Sequence, residues 1–172
     1  MEIALVPWEE RFAPALAEYA NNPNVFANLR DRFPHPYAEA DARDYIRLCK
    51  AEDGQAFLAR AITVDGVCAG SITVTLGEDV YRRSGELGYF LGEPFWGNGI
   101  MTWAARAICR EAFEKLDIVR IYAEPYAYNT GSRRVLEKAG FTLEGTLRRS
   151  VYKRGELFDS CIYGLLKEEM KP

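Results

Sequence analysis

Gly97 and Gly99 stand between a run of strand-forming residues, Leu87 to Leu91, and the start of an amphipathic helix. The chemistry this spacing offers is anion binding. Residues without a Cβ let main-chain N–H groups approach a ligand closely, and the free N–H groups and positive dipole end of the following helix converge where a phosphate would sit. A Gly-x-Gly between two elements also serves simply as a tight connection, so the turn alone leaves both readings open. Other reactive residue types are sparse. Cys49, Cys68, Cys109 and Cys161 form no C-x-x-C pair, and His35, the only histidine, lies between two prolines in a loop; this set indicates buried thiols in a reducing cytoplasm and no metal site.

The elements that must position the glycine turn follow from periodicity. Residues 2–7 predict a first strand, and residues 9–21 a helix with Phe12, Leu16 and Tyr19 on one stripe. Residues 22–37 read as an irregular connection, and 39–51 as a second helix closed by Asp53-Gly54. Residues 56–64 and 67–76 flank Asp65-Gly66, a two-residue turn that predicts a β-hairpin. A polar loop leads to the strand opening at Glu86, and a helix over 99–116 follows the glycine turn, with Met101, Ala104, Ala105, Ile108, Ala112 and Leu116 on its apolar side. Residues 119–124 predict a strand and 129–139 a helix with Gly140 just past its end. Strands over 141–147 and 157–166, turning at Lys153 to Glu156, complete the order.

At 172 residues with 48% hydrophobic and 27% charged residues, the chain is expected to form a single domain over 1–172. It has no apolar run long enough to span a bilayer and no signal-like start, so a cytoplasmic protein without membrane contact is expected. A net charge of −3 argues against nonspecific nucleic-acid binding and mildly favours basic partners.

Three blocks carry a family resemblance. Residues 86–105, ELGYFLGEPFWGNGIMTWAA, are similar to the pattern E-[IL]-G-Y-x-[IL]…[FY]-W-G-x-G. Residues 123–145 contain an N-x-x-S-x-x-[VL]-L-E-K-x-G-F block, and 148–166 resemble a closing hairpin with a Phe158-Asp159 pair. In this order and spacing they resemble the GNAT superfamily of acetyl-CoA-dependent N-acetyltransferases, in its RimJ/RimL-like branch. The resemblance implies an α/β (α+β) fold: a twisted, mostly antiparallel sheet of about seven strands, splayed at the cofactor site, with about four helices.

The resemblance also implies roles. Main-chain groups of Gly88, Tyr89, Phe90 and Leu91 would hold the pantetheine arm. Amides around Phe95, Trp96, Gly97, Asn98, Gly99, Ile100 and Met101 would cradle the pyrophosphate. Asn129 matches the asparagine that bonds the pantetheine, and it also fits an N-cap of the helix it precedes. Glu86 is the candidate general base, and a surface carboxylate at a strand end is its alternative. Many superfamily members place a tyrosine acid seven residues after the asparagine; here Leu136 occupies that slot, and Ser132 fills the position where RimL-like enzymes place a serine near the coenzyme sulfur. Pro94 and Trp103 also depart from the pattern. Arg30, Arg32, Phe33, Tyr126, Tyr128, Tyr152 and Asp159 are expected acceptor-cleft residues.

The implied reaction is direct attack by a primary amine on acetyl-CoA in a ternary complex, without metal. Its acceptor is a protein or peptide α-amine, or alternatively a small amine. A catalytically silent acyl-CoA-binding module is the reading from another class, and the protein is expected as a monomer or homodimer.

Overall fold

The computed structural model describes residues 1–172. Seven strands form one sheet: β1 (Ile3–Val6), β2 (Phe57–Val64), β3 (Val67–Leu76), β4 (Ser84–Leu91), β5 (Arg120–Ala123), β6 (Thr142–Lys153) and β7 (Glu156–Leu166). Their order is β1-β2-β3-β4-β5-β7-β6, and every pairing is antiparallel except β4 with β5. Helices α1 (Ala13–Ala20), α2 (Pro23–Phe26), α3 (Glu39–Glu52), α4 (Ile100–Lys115) and α5 (Thr130–Ala139) cover the two faces.

Strand alternation divides the core. Leu87, Tyr89 and Leu91 of β4, Ile121 and Ala123 of β5, and Cys161, Tyr163 and Leu165 of β7 pack on the side of α4 and α5, with Ile100, Ala104, Ala105 and Ile108. Phe90 packs on the opposite side with Trp8, Phe12, Leu16 and Ile46, under α1 and α3. Two elements differ from the sequence expectation. The connection over 22–37 contains α2, one turn whose start is set by Asn22: its side chain accepts the Asn24 N–H at 2.8 Å, and Pro23 follows it at the first helical position. Strand β6 runs on to Lys153, beyond the expected end at Leu147, through register shifts between Leu143 and Gly145 and between Leu147 and Val151. It is an edge strand with nearly every side chain exposed, so no buried face imposed a period-two signal.

Candidate active site

The sheet opens where β4 and β5 part. Their parallel register ends at Glu86 opposite Tyr122, while β4 continues to Leu91 along β3. Bonds from Gly77 N–H to Ser84 O and from Gly92 N–H to Ala69 O place the even-numbered residues' main-chain groups toward β3. In β4, therefore, the groups of Gly88 and Phe90 belong to the β3 ladder, and only those of Tyr89 and Leu91 face the gap. The Leu91 carbonyl already accepts Trp96 Nε1–H at 2.7 Å. Of the four residues expected to offer main-chain groups there, Tyr89 alone has both N–H and C=O open to the gap, and Trp96 acts as a brace that closes the turn.

Beyond the gap the glycine turn presents its amides. Trp96 N–H bonds Glu93 O and Trp103 N–H bonds Gly99 O, but the N–H groups of Gly97 through Thr102 have no protein acceptor. Gly97 and Gly99 have φ of 77° and 73°, and a Cβ at either would meet nothing within 4 Å. Their glycine is therefore required by backbone conformation rather than by crowding, as a left-handed residue at the N-cap of α4 demands. Asn98 Nδ2 donates to Phe95 O and Trp96 O at 3.2 and 3.1 Å, which occupies the turn's carbonyls and leaves its amides outward. Asn22 and Asn24 donate to the two Glu93 oxygens at 2.7 and 3.0 Å, fastening α2 to this turn.

Helix α5 brings the second block to the same gap. Asn129 Oδ1 accepts Ser132 N–H at 3.1 Å, so the N-cap role holds and the side-chain Nδ2 remains unused. The Ser132 Oγ lies 2.6 Å from the Tyr89 hydroxyl, and burial pushes that phenol up to about 12. Arg133 Nε donates to the Tyr163 hydroxyl at 3.1 Å, which donates to Glu137 at 2.9 Å, pinning α5 to β7.

On the other face of the sheet stands Glu86, partly exposed. Arg30 ion-pairs with its Oε1, and the Tyr122 hydroxyl donates to Oε2 at 3.4 Å. Beside it a cleft of about 260 Å³ is lined by Arg30, Asp31, Glu124, Tyr126, Ser150, Val151, Tyr152, Lys153 and Ser160. Arg30, Tyr126 and Tyr152, three of the residues expected in the acceptor cleft, are among its lining residues. Four expected liners, Arg32, Phe33, Tyr128 and Asp159, are not among its lining residues. Phe33 packs against Phe90 and Tyr37, Tyr128 donates to Ala27 O while packing on Phe158, and Asp159 Oδ1 accepts Arg149 N–H at 2.7 Å in the bulge of β6. Arg32 is exposed.

An unpaired amide row at a helix N-terminus, a sheet gap beside it and a polar cleft on the opposite face together form the candidate site. The family model described as acetyltransferase (GNAT) domain matches residues 2–142. The chain belongs to the GNAT acetyltransferase family.

Within this family, a relative named "Putative ribosomal N-acetyltransferase YdaF", from Bacillus subtilis (strain 168), is 37% identical over 105 residues. That match covers 61% of this chain and 57% of the relative's length. Mycobacterium smegmatis RimJ, solved in complex with CoA-disulfide, superposes with a TM-score of 0.87 at 25% identity, covering 99% of this chain and 84% of that one. RimL, a ribosomal L7/L12 α-N-protein acetyltransferase solved with coenzyme A, shares the fold at a TM-score of 0.84 and 22% identity, covering 95% and 93%. The GNAT fold thus accounts for the splay and for the order of the three sequence blocks.

Sequence reasoning missed Glu124, Asp31, Lys153 and the Tyr89 phenol. Lys153 is 2% exposed, donates to Asp31 Oδ1 at 3.0 Å and lies 4.0 Å over the Phe26 ring. Its position in a turn-proximal basic run, Lys153-Arg154, gave it the appearance of a solvated charge. Only the period-two position of Glu124 beyond Tyr122 could have marked it.

Proposed function

We propose that this GNAT protein transfers an acetyl group from acetyl-CoA to a primary amine, and that the acceptor is the N-terminal α-amine of a protein or peptide. The observation that carries the first part is the row of unpartnered amides from Gly97 to Thr102 beside the β4–β5 gap, a cradle sized by backbone and suited to a pyrophosphate. The name of the YdaF relative and the likeness to RimJ support the second part.

In this reading the amides of Gly97 to Thr102 hold the pyrophosphate, while the Tyr89 main chain and Asn129 Nδ2 hold the pantetheine. Bound there, acetyl-CoA supplies the acetyl group as an activated thioester. The chain's own contribution is proton management and orientation. Period-two alternation puts Glu86 on the acceptor face of β4 and Tyr89, with Ser132, on the α5 face. Glu86 takes the proton of the incoming ammonium, directly or through water, once the exposed Arg30 side chain yields its contact. Ser132 Oγ donates a hydrogen bond, and relays a proton, on the thiol side. Acid and base on opposite faces of the gap favour direct attack over a two-step route.

Calorimetry with acetyl-CoA alongside ATP and NAD, followed by thiol release over a panel of peptides and small amines, tests the proposal. Selective acetyl-CoA binding with peptide-dependent thiol release is the expected result. Release only with small amines would move the acceptor to that class. Binding without release over the whole panel would replace the enzyme by an acyl-CoA-binding module. Substituting Glu86→Gln and Ser132→Ala is expected to lower kcat by roughly 10²-fold each; unchanged turnover would remove that residue from the mechanism.

A further inference from the structure

Four ionised side chains line the acceptor cleft, and three of them already have a partner. Arg30 pairs with Glu86, and Lys153 pairs with Asp31. Glu124 forms no ion pair. Its one protein hydrogen bond comes from Ser160 Oγ, at 3.2 Å to Oε1. Because a carboxylate only accepts, Ser160 donates to it. Ser150 Oγ lies 2.7 Å from that of Ser160 and 3.1 Å from the Leu147 carbonyl, so its single proton has two acceptors. Ser160 is fully buried, so this donor holds the carboxylate from behind. A half-buried carboxylate held by one neutral donor, in a cleft whose other charges cancel, lacks a counter-ion.

Its place in the fold says what that counter-ion is. Glu124 follows β5 directly, two residues beyond Tyr122, so it shares the face that carries Tyr122 and Glu86 and stands about 7 Å further toward the opening of the sheet. The main chain around it is tied to β7 by Cys161 N–H to Pro125 O at 2.9 Å and Ala127 N–H to Asp159 O at 2.8 Å. A cation seated on Glu124 therefore lies beside the gap and within the same cleft as the Glu86–Arg30 pair.

We propose that Glu124 is the acceptor-binding carboxylate: it takes the primary ammonium of the substrate as its counter-ion and positions that nitrogen at the mouth of the β4–β5 gap. This deepens the acetyltransferase reading and rests on it. Glu124 orients the ammonium, and Glu86 remains the group that receives its proton. The cleft then selects a cationic amine presented by a short polar fragment, such as the first residue of a peptide, since Ser150, Ser160, Asp31 and Lys153 surround the carboxylate with polar groups and only three of the lining residues are apolar or aromatic.

The test uses glycinamide, a minimal α-ammonium with a following amide, titrated into the CoA-saturated protein and followed by NMR amide shifts. Saturable shifts at Glu124, Ser150 and Ser160 are expected, with N-acetylglycinamide, which has no charge, producing none. Glu124→Gln preserves the side chain's shape and is expected to weaken glycinamide by about tenfold or more. Ser160→Ala, which frees the carboxylate without removing it, is expected to weaken it by roughly threefold. In turnover with a peptide acceptor, Glu124→Gln should raise KM for the peptide and leave KM for acetyl-CoA unchanged, a split that a general loss of structure would not produce. Equal glycinamide affinity in wild type and Glu124→Gln, or no saturable shift in the wild type, would overturn the proposal. Failure of the wild type to bind CoA calorimetrically would instead sink the acetyltransferase reading, and the two failures are read from separate titrations.

Discussion

The Tyr89 hydroxyl lies 2.6 Å from Ser132 Oγ, which joins the middle of β4 to the first turn of α5 across the open part of the sheet. Burial raises the Tyr89 phenol to about 12, so it remains a protonated donor throughout the neutral range. Tyr89→Phe removes that donor and leaves the main chain at Tyr89 in place. The expected outcome is a fall in kcat of about tenfold with acetyl-CoA affinity within about twofold of wild type, since the pantetheine contacts assigned to this residue are main-chain. Single-turnover kinetics together with calorimetry separate the two quantities; a loss confined to affinity would contradict the relay.

Asn129 has two proposed duties, and two substitutions separate them. Asn129→Ala removes the cap that accepts Ser132 N–H and is expected to cost about 1 kcal/mol of stability as well as coenzyme affinity. Asn129→Asp keeps a cap acceptor but replaces the Nδ2 donor, so stability should stay near wild type while acetyl-CoA binding weakens. Thermal unfolding and calorimetry on both variants check the assignment, and unaltered binding in Asn129→Asp would confine Asn129 to capping.

Gly97→Ala and Gly99→Ala place a Cβ in open space but on a left-handed backbone. Each should cost roughly 1 kcal/mol of stability through strain, or shift the turn and misalign its amides. The affinity for acetyl-CoA is accordingly expected to drop by about tenfold or more in both. Isothermal titration compared with the unfolding midpoint tells strain from misalignment, because a relaxed turn would lose affinity with little loss of stability.

Alkaline pH should unfold this protein early. Burial pushes Cys68 up to about 11 and Cys49 and Cys109 up to about 12, from an ordinary value near 9. These groups stay neutral in the folded chain where the unfolded chain ionises, so their stabilising contribution is complete below about pH 9 and is lost as pH rises through 11 to 12. Tyr89 adds the same sign between about pH 10 and 12. The urea midpoint measured from pH 7 to 11 is expected to fall steadily above pH 9, and replacing Cys109 by Ala should flatten part of that slope. A pH-independent midpoint over this range would show that the thiols are not held neutral.

Local signals carried most of the elements into view. Asp65-Gly66 gave the β2–β3 hairpin, the spacing of Met101, Ala104, Ala105 and Ile108 gave α4, and Gly140 with φ of 103° closes α5 as its position implied. Glycine-x-glycine before α4 marked the left-handed turn for the same reason: a conformational requirement is written in one or two residue types. Helix α2 was missed although Asn22-Pro23 is a start signal, because four residues carry no periodicity. The far half of β6 was missed because an exposed, bulged edge strand has no buried face to pattern it.

By itself, the sequence determined most of the strands and helices, the glycine turn before α4, the family resemblance and the position of Glu86, Asn129 and Ser132 on their elements, since each depends on neighbours a few residues away. Which groups meet was decided only in three dimensions. Tyr89 and Ser132 are 43 residues apart, Arg30 and Glu86 56, and Lys153 and Asp31 122. Their contacts follow from the order of the strands and from where β4 leaves β5, and side-chain charge alone does not report whether a carboxylate such as Glu124 ends in an ion pair or faces a cleft without one. Long-range pairing is set by the packing of the whole core, so the same residue types that were ordinary in the sequence acquire their chemistry from the partners the sheet brings to them.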